Sequence, residues 1–257
     1  MLCFLKLSLE SITMKNKFLL LIFAFLCNFV TAQNIQIHYD FGKHLYAGLE
    51  KRPTITATAE MFRADDYGST FFVIDFDYRA RNTGAYWEIA RELCFWQDTK
   101  LNWLSIHIEH NGGCSVGAGS FNNCWLGGLT YSRHSKDYSK TWSLQALYKC
   151  IPGTIDQAGN PDIHNFQITG VWNIEFANGW CSHSGFADFW REKQIRKYEG
   201  GTTSYIFLSE LQLWVNLNKI TAMSKCNLSL GTELRLSHNL VAKGSYAIPT
   251  LAAKYSF

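Results

Sequence analysis

Proline is scarce, with four residues in a chain of 257, and beyond residue 32 no apolar run approaches the roughly 20 residues that a membrane-crossing helix needs. The first scarcity excludes collagen-like and proline-rich disordered classes. The second excludes a helical membrane protein for the body of the chain. A surplus of one charge sign is missing too: 24 Lys plus Arg stand against 21 Asp plus Glu. Setting aside Lys6, Lys15, Lys17 and Glu10 of the first 32 residues leaves a balance close to neutral, which argues against nucleic acid as the main partner. No phosphate loop, nucleophile elbow or HExxH occurs, so no cofactor and no enzymatic role is expected. His107-x-Glu109 matches half of a zinc-deaminase signature, but no Pro-Cys-x-x-Cys follows, so no metal site is expected.

What the chain has in quantity is rings. Nine Trp, 12 Tyr and 18 Phe accompany a mean hydropathy near zero. So many rings either pack a large core or face something apolar, and the second option points to a membrane.

The N-terminus bears on the compartment. From Met14, Lys15 and Lys17 form a positive region, Phe18 to Phe29 an apolar run, and Val30-Thr31-Ala32 a set of small residues before Gln33. That is the pattern of a secretory signal peptide cleaved after Ala32. Residues 1–32 are therefore expected to be removed, with Met14 as the start, and 33–257 to form one domain. Cys27 follows the bulky Leu26, which does not suit a lipidation signal.

An exported membrane protein without spanning helices must cross with strands closed into a barrel. Period-2 alternation supports this. Phe166, Ile168, Trp172, Ile174 and Phe176 alternate with Asn165, Gln167, Thr169, Asn173 and Glu175 over 13 residues, longer than strands of soluble sheets usually run. Twelve such segments are read at 34–41, 53–62, 68–78, 85–96, 103–111, 121–131, 141–150, 164–176, 180–192, 203–217, 226–237 and 246–257. Segment 85–96 also admits a helical reading through Trp87, Ala90, Arg91 and Cys94. An even count puts both termini on the periplasmic side. Loops 42–52, 79–84, 112–120, 151–163, 193–202 and 238–245 then lie outside, and the shorter turns 63–67, 97–102, 132–140, 177–179 and 218–225 inside. Asn178-Gly179 is a strong hairpin signal. The terminal Phe257, on one face of its strand with Tyr255, resembles the signal read by the barrel-assembly machinery of the outer membrane. The expected fold is thus all-β, a twelve-stranded antiparallel transmembrane barrel of the bacterial outer-membrane type.

Parity also sorts the lumen. With the wet face inward, the interior holds Asp40, Glu60, Asp75, Asp77, Glu88, Glu92, Glu109, Glu175, Asp188, Glu210 and Glu233 against Lys149, Arg235 and Lys254. Asp40, Glu92 and Asp188 can alternatively sit at strand ends in water. Arg91 and Arg191 have the opposite parity near the rims, where long bases snorkel. Candidate lumen and substrate residues are Asp75, Asp77, Glu88, Glu109, Glu175, Glu210, Glu233 and Arg235, with Trp214 as a stacking surface for a base or sugar ring. Six cysteines follow residue 32. Cys114 and Cys124 flank one outer loop and are a possible disulfide; otherwise the thiols serve as small apolar side chains.

Four segments carry a family resemblance: Ser69-Thr70-Phe71-Phe72-Val73-Ile74-Asp75-Phe76-Asp77, Tyr86-Trp87-Glu88-Ile89-Ala90-Arg91-Glu92-Leu93, Glu109-His110-Asn111-Gly112-Gly113 and Gly185-Phe186-Ala187-Asp188-Phe189-Trp190-Arg191. They resemble an uncharacterised outer-membrane family with a domain of unknown function, itself distantly similar to the Tsx nucleoside-specific channels. Leu211 stands where that family favours Pro, a difference of strand geometry rather than chemistry. The resemblance implies a twelve-stranded barrel with a narrow lumen and nucleosides as solutes. The expected function is therefore a passive channel for small polar solutes in outer-membrane lipid, without nucleic acid as a partner. A non-conducting barrel with a surface-binding or structural role is the alternative. A lipid-modifying enzyme is the third reading; Ser182-His183-Ser184 is its closest local cluster, and His183 reads better as a surface or rim histidine.

Overall fold

The computed structural model describes residues 33–257 except 51, 79–82, 116–118, 121–122, 156–158, 196–201 and 241. The expected signal peptide and parts of the loops expected at 42–52, 79–84, 112–120, 151–163, 193–202 and 238–245 lie outside these residues. Among them the strands are β1 (Asn34–Asp40), β2 (Ile55–Asp65), β3 (Gly68–Tyr78), β4 (Thr83–Leu93), β5 (Leu104–Ser115), β6 (Gly119–Ser120), β7 (Cys124–His134), β8 (Lys140–Cys150), β9 (His164–Phe176), β10 (Cys181–Ile195), β11 (Thr202–Asn216), β12 (Leu228–His238) and β13 (Ser245–Ser256). β6 is a two-residue stub that pairs with the tip of β5. The other twelve join neighbour to neighbour, every pair antiparallel, and the β1–β13 and β4–β5 pairings close the barrel.

The twelve expected strands are all present, with shifted ends. Segment 85–96 is a strand and not a helix, but it stops at Leu93, where the Cys94 N–H turns to donate to Tyr67 O at 2.8 Å. β5 runs four residues past its expected end, and β10 reaches Ile195 through an irregularity between Arg191 and Gln194. The loop after β1 carries a helical turn, Gly42–Leu45, that period-2 reading does not reveal. At the β9–β10 hairpin, Ala177, Asn178 and Gly179 all have positive φ, 52°, 56° and 79°. Asn and Gly tolerate that region best.

Alternation gives the barrel two faces. Ile37, Ile108, Leu129, Leu144, Ile168, Leu213, Leu230 and Leu251 stand exposed on the outside, and Tyr39, Trp125, Tyr148, Trp142, Trp180 and Tyr255 lie toward the two ends. An apolar band between aromatic girdles is what a lipid-facing barrel surface requires. No helix among the described residues is long and apolar enough to cross a membrane; the crossing elements are strands. The inner set includes Gln36, His38, Asp40, His107, Glu109, Thr130, Gln145, Lys149, Gln167, Thr169 and Glu233, all buried.

Candidate functional site

Six carboxylates define the middle of the lumen: Asp75 on β3, Glu88 on β4, Glu109 on β5, Asp188 on β10, Glu210 on β11 and Glu233 on β12. Strand stagger in a closed barrel brings them to a common level. Glu88 accordingly has Glu109, Asp188 and Glu210 as charged neighbours. Asp75 has Glu210 and Arg235, and Glu233 has Glu210, Arg235 and Asp75.

Buried charge is costly unless it is paired and hydrogen-bonded, and each member of the ring has a partner. Tyr86 Oη donates to Glu88 Oε1 at 2.5 Å, Thr58 Oγ1 to Asp75 Oδ1 at 2.5 Å and Thr169 Oγ1 to Asp188 Oδ1 at 2.6 Å. Gln212 Nε2 donates to Glu233 Oε2 at 3.0 Å, and His107 Nε2 lies 2.9 Å from Glu109 Oε2. Arg235 forms an ion pair with Glu210. Lys149 is the second base close to the ring, a charged neighbour of Asp188. Its Nζ donates to Gln167 Oε1 at 2.7 Å and lies 4.4 Å from the Trp190 ring centre.

Of the residues expected to line the lumen, the barrel thus gathers Asp75, Glu88, Glu109, Glu210, Glu233 and Arg235. Asp77 stands one inward position from Asp75 and accepts from Thr56 Oγ1 at 2.7 Å. Glu175 is exposed near the end of β9, apart from the ring. Trp214 points inward, but it has no exposed surface: Lys254 Nζ lies 4.3 Å from its ring centre and the His38 ring meets its edge at 6.0 Å. The expected stacking surface is therefore corrected, since no ring face is left for a solute.

Strand-end solvation is corrected for three acids. Asp40 is buried and paired with Arg52 Nη2 at 2.6 Å, an Arg that the first loop folds inward. Glu92 accepts from Ser105 and from Thr130 Oγ1 and sits 2.7 Å from His107 Nδ1. Asp188 belongs to the ring. The outward arginines are also paired: Arg91 with Asp65 at 2.6 Å, Arg191 with Asp162 at 3.0 Å.

Toward the loop end the lumen changes character. Cys124, Leu126, Leu147 and Ile151 form a buried apolar cluster, and Trp190, Ile206 and Ile248 are buried nearby on inward positions. The Cys114–Cys124 disulfide is not formed, and both thiols are free. The register explains why: Cys124 lies opposite the inward Asn111, so Cys114, three residues further on, faces the other side of the wall. Among the described residues no group of three or more His, Cys, Asp or Glu is placed to hold a metal. Tyr86, His107 and Asn111 are lumen residues that attention to charge alone overlooks, although their parity marks them. Arg52, in a loop, carries no such signal.

A closed antiparallel barrel with an apolar outer band, aromatic girdles and a polar interior is a β-barrel of the outer-membrane type. The chain belongs to the family described as "Domain of unknown function (DUF5020)", which matches residues 32–257. No curated protein matches the sequence. Among solved structures it is similar to the NanC porin, with a TM-score of 0.55 and 9% identity over 87% of this chain and 98% of that one. It is also similar to the KdgM porin, at 0.46 and 10% over 87% and 98%, and to LpxR from Salmonella typhimurium, at 0.45 and 9% over 87% and 99%. At 9% identity the likeness to the NanC porin is one of fold, and function has to be argued from the site.

Proposed function

We propose that this barrel is a narrow outer-membrane channel for the passive passage of small polar solutes, with both termini toward the periplasm and a preference for cations and neutral molecules over anions. The observation that carries the reading is the ring of Asp75, Glu88, Glu109, Asp188, Glu210 and Glu233, against which Arg235 and Lys149 supply two bases. Rings of carboxylates select cations, and low-dielectric walls focus their field. Nucleosides are the solute class that the sequence resemblance implies. With Trp214 enclosed, the half-buried inward rings of Tyr86 and Phe186 are the surfaces that would meet a base. The exposed Phe257, whose ring meets that of Tyr255 at 5.3 Å, supports recognition by the barrel-assembly machinery.

The test is single-channel recording of the folded protein in planar bilayers across a KCl gradient. A zero-current potential of the sign that marks cation preference is expected. Anion preference overturns the reading.

The buried apolar cluster toward the loop end favours a second reading, a non-conducting barrel with a surface-binding or structural role. Well-folded protein that never conducts would establish it. We keep the reading non-enzymatic: His183 points outward, with Nε2 accepting from Trp172 Nε1 at 3.0 Å and Nδ1 donating to Gln212 O at 2.9 Å. Ser182 and Ser184 have the opposite, inward parity, so this trio assembles no lipid-facing Ser–His pair. Turnover of outer-membrane lipid by the purified barrel would reverse that.

A further inference from the structure

Asn111 lies on β5 directly opposite Glu88 of β4, two residues beyond Glu109 and on the same inward face. It is 8% exposed, and its Oδ1 is buried with no hydrogen-bond partner. A buried acceptor left without a donor costs free energy and calls for an explanation. The charged groups that flank it by register and parity are Glu88 and Glu109, whose carboxylates, when ionised, only accept. The missing partner is therefore a donor, and among carboxylates a cationic one.

Two observations choose between a metal ion and an organic cation. Among the described residues no three or more of His, Cys, Asp and Glu are grouped to hold a metal. The same stretch of wall is also apolar: Leu126 stands opposite Glu109 in register, Cys124 opposite Asn111, and both pack with Leu147. These side chains are buried against one another, and acceptors beside a dry aliphatic wall suit an organic ammonium better than a strongly hydrated metal ion. On the far arc Asp188 and Glu210 offer carboxylates to a second ammonium, both being charged neighbours of Glu88.

We infer that the lumen ring is a binding site for aliphatic amines, one ammonium held by Glu88, Glu109 and Asn111 Oδ1 and a second ammonium toward Asp188 and Glu210. This deepens the channel reading and rests on it for the placing of the ring on the solute's path.

Titration calorimetry on the full-length mature barrel, folded in detergent, tests the site without requiring conduction. The probe is 1,4-diaminobutane, with 1,4-butanediol and succinate as the neutral and anionic counterparts. Saturable binding of the diamine is expected, with neither counterpart bound. Asn111→Leu should weaken it about tenfold, the order of a lost hydrogen bond to a charged group, whereas Asn111→Asp should keep it. Glu88→Gln with Glu109→Gln should weaken it further; if that pair fails to fold, the Asn111 variants decide alone. No saturable binding by the wild type overturns the site. So does unchanged affinity in the folded Asn111→Leu variant, or displacement by NaCl as potent as by amine. Binding without conductance overturns the channel and leaves the site standing; conductance without binding does the reverse.

Discussion

Trp214 packs onto Gly231, its direct partner across β11 and β12, so closely that a Cβ at 231 would stand 2.6 Å from the indole Cε3 and 2.2 Å from Leu213 O. Two further tryptophans use the same device on the outer face: Trp87 over Gly112 and Trp172 over Gly185, each pair in direct register. A ring laid over a cross-strand glycine covers the backbone that the glycine leaves bare. Gly231→Val is therefore expected to lower the yield of heat-modifiable, folded barrel, because backbone as well as the indole must give way. Gly170→Ala, whose added Cβ has nothing within 4 Å, should leave that yield unchanged. Equal yields would show that the Trp214–Gly231 contact is dispensable.

The C-terminus yields a second prediction. Phe257 is exposed at 68%, and its backbone N–H donates to Gln33 O at 3.0 Å, beside the β1–β13 closure. Deleting it removes an exposed ring while the strand pairs of β13 with β1 and β12 remain. The amount of folded protein in cells should fall, whereas refolding of purified chain into detergent should be affected little. A loss confined to the refolding assay would assign Phe257 to barrel stability and not to recognition.

Topology can be checked from the outside. Epitope tags in 151–163 should be reached by antibody on intact cells, and tags in 132–140 or 218–225 should be reached after permeabilisation alone. Surface labelling at 132–140 would invert the proposed orientation.

Much of this architecture is readable from alternation, because in a barrel between lipid and a polar interior every second residue answers to a different solvent. That is why the inward direction of Asp75, Glu88, Glu109, Glu210 and Glu233 follows from the sequence alone. Parity says nothing about height, however. The gathering of Asp188 with Glu88 and Glu109 depends on stagger across several strands, which single segments do not encode. Nor does parity tell whether an inward ring is open or covered: Trp214 is enclosed by Lys254 and His38, residues of β13 and β1. Arg52 reaches Asp40 through the fold of a loop, where no periodicity applies. Cys114 and Cys124 show the converse, since their spacing in sequence suggests a bridge that the register forbids.

His107 offers a stability prediction. It is 2% exposed, with Nδ1 2.7 Å from Glu92 Oε1 and Nε2 2.9 Å from Glu109 Oε2. An ionised carboxylate only accepts, so with both acids ionised the ring must donate from both nitrogens and thereby offset their repulsion. Replacing it by Phe leaves the buried Glu109 and the partly buried Glu92 without their shared donor, and breaking such an arrangement costs about 3 kcal/mol. Urea unfolding in lipid vesicles should register that loss. Adding Glu92→Gln and Glu109→Gln to His107→Phe should recover part of it, because the uncompensated charges are then gone. No recovery would mean that the loss comes from packing.

The last prediction ties the ring to selectivity. Asp75 and Glu210 are charged neighbours, so neutralising both as Asp75→Asn and Glu210→Gln removes adjacent charges from one arc and leaves four carboxylates beside Arg235 and Lys149. Both replacements keep an acceptor of nearly the same shape, so Thr58 can still donate to residue 75, and Arg235 retains Glu233 as a charged neighbour. Arg235 gives up its ion pair with Glu210, so the double variant should fold with some loss of stability, and the potential is read on the folded fraction. Its zero-current potential across a KCl gradient should move toward zero, since the remaining excess of negative charge is smaller. Screening sets where the change is clearest: the Debye length is about 10 Å at 0.1 M salt and about 3 Å at 1 M. The difference between wild type and double variant should therefore be largest at low salt and shrink as salt rises. A double variant that folds and keeps the wild-type potential at low salt would place the selecting charges elsewhere along the lumen, with Asp77 and Glu60 the next carboxylates to neutralise.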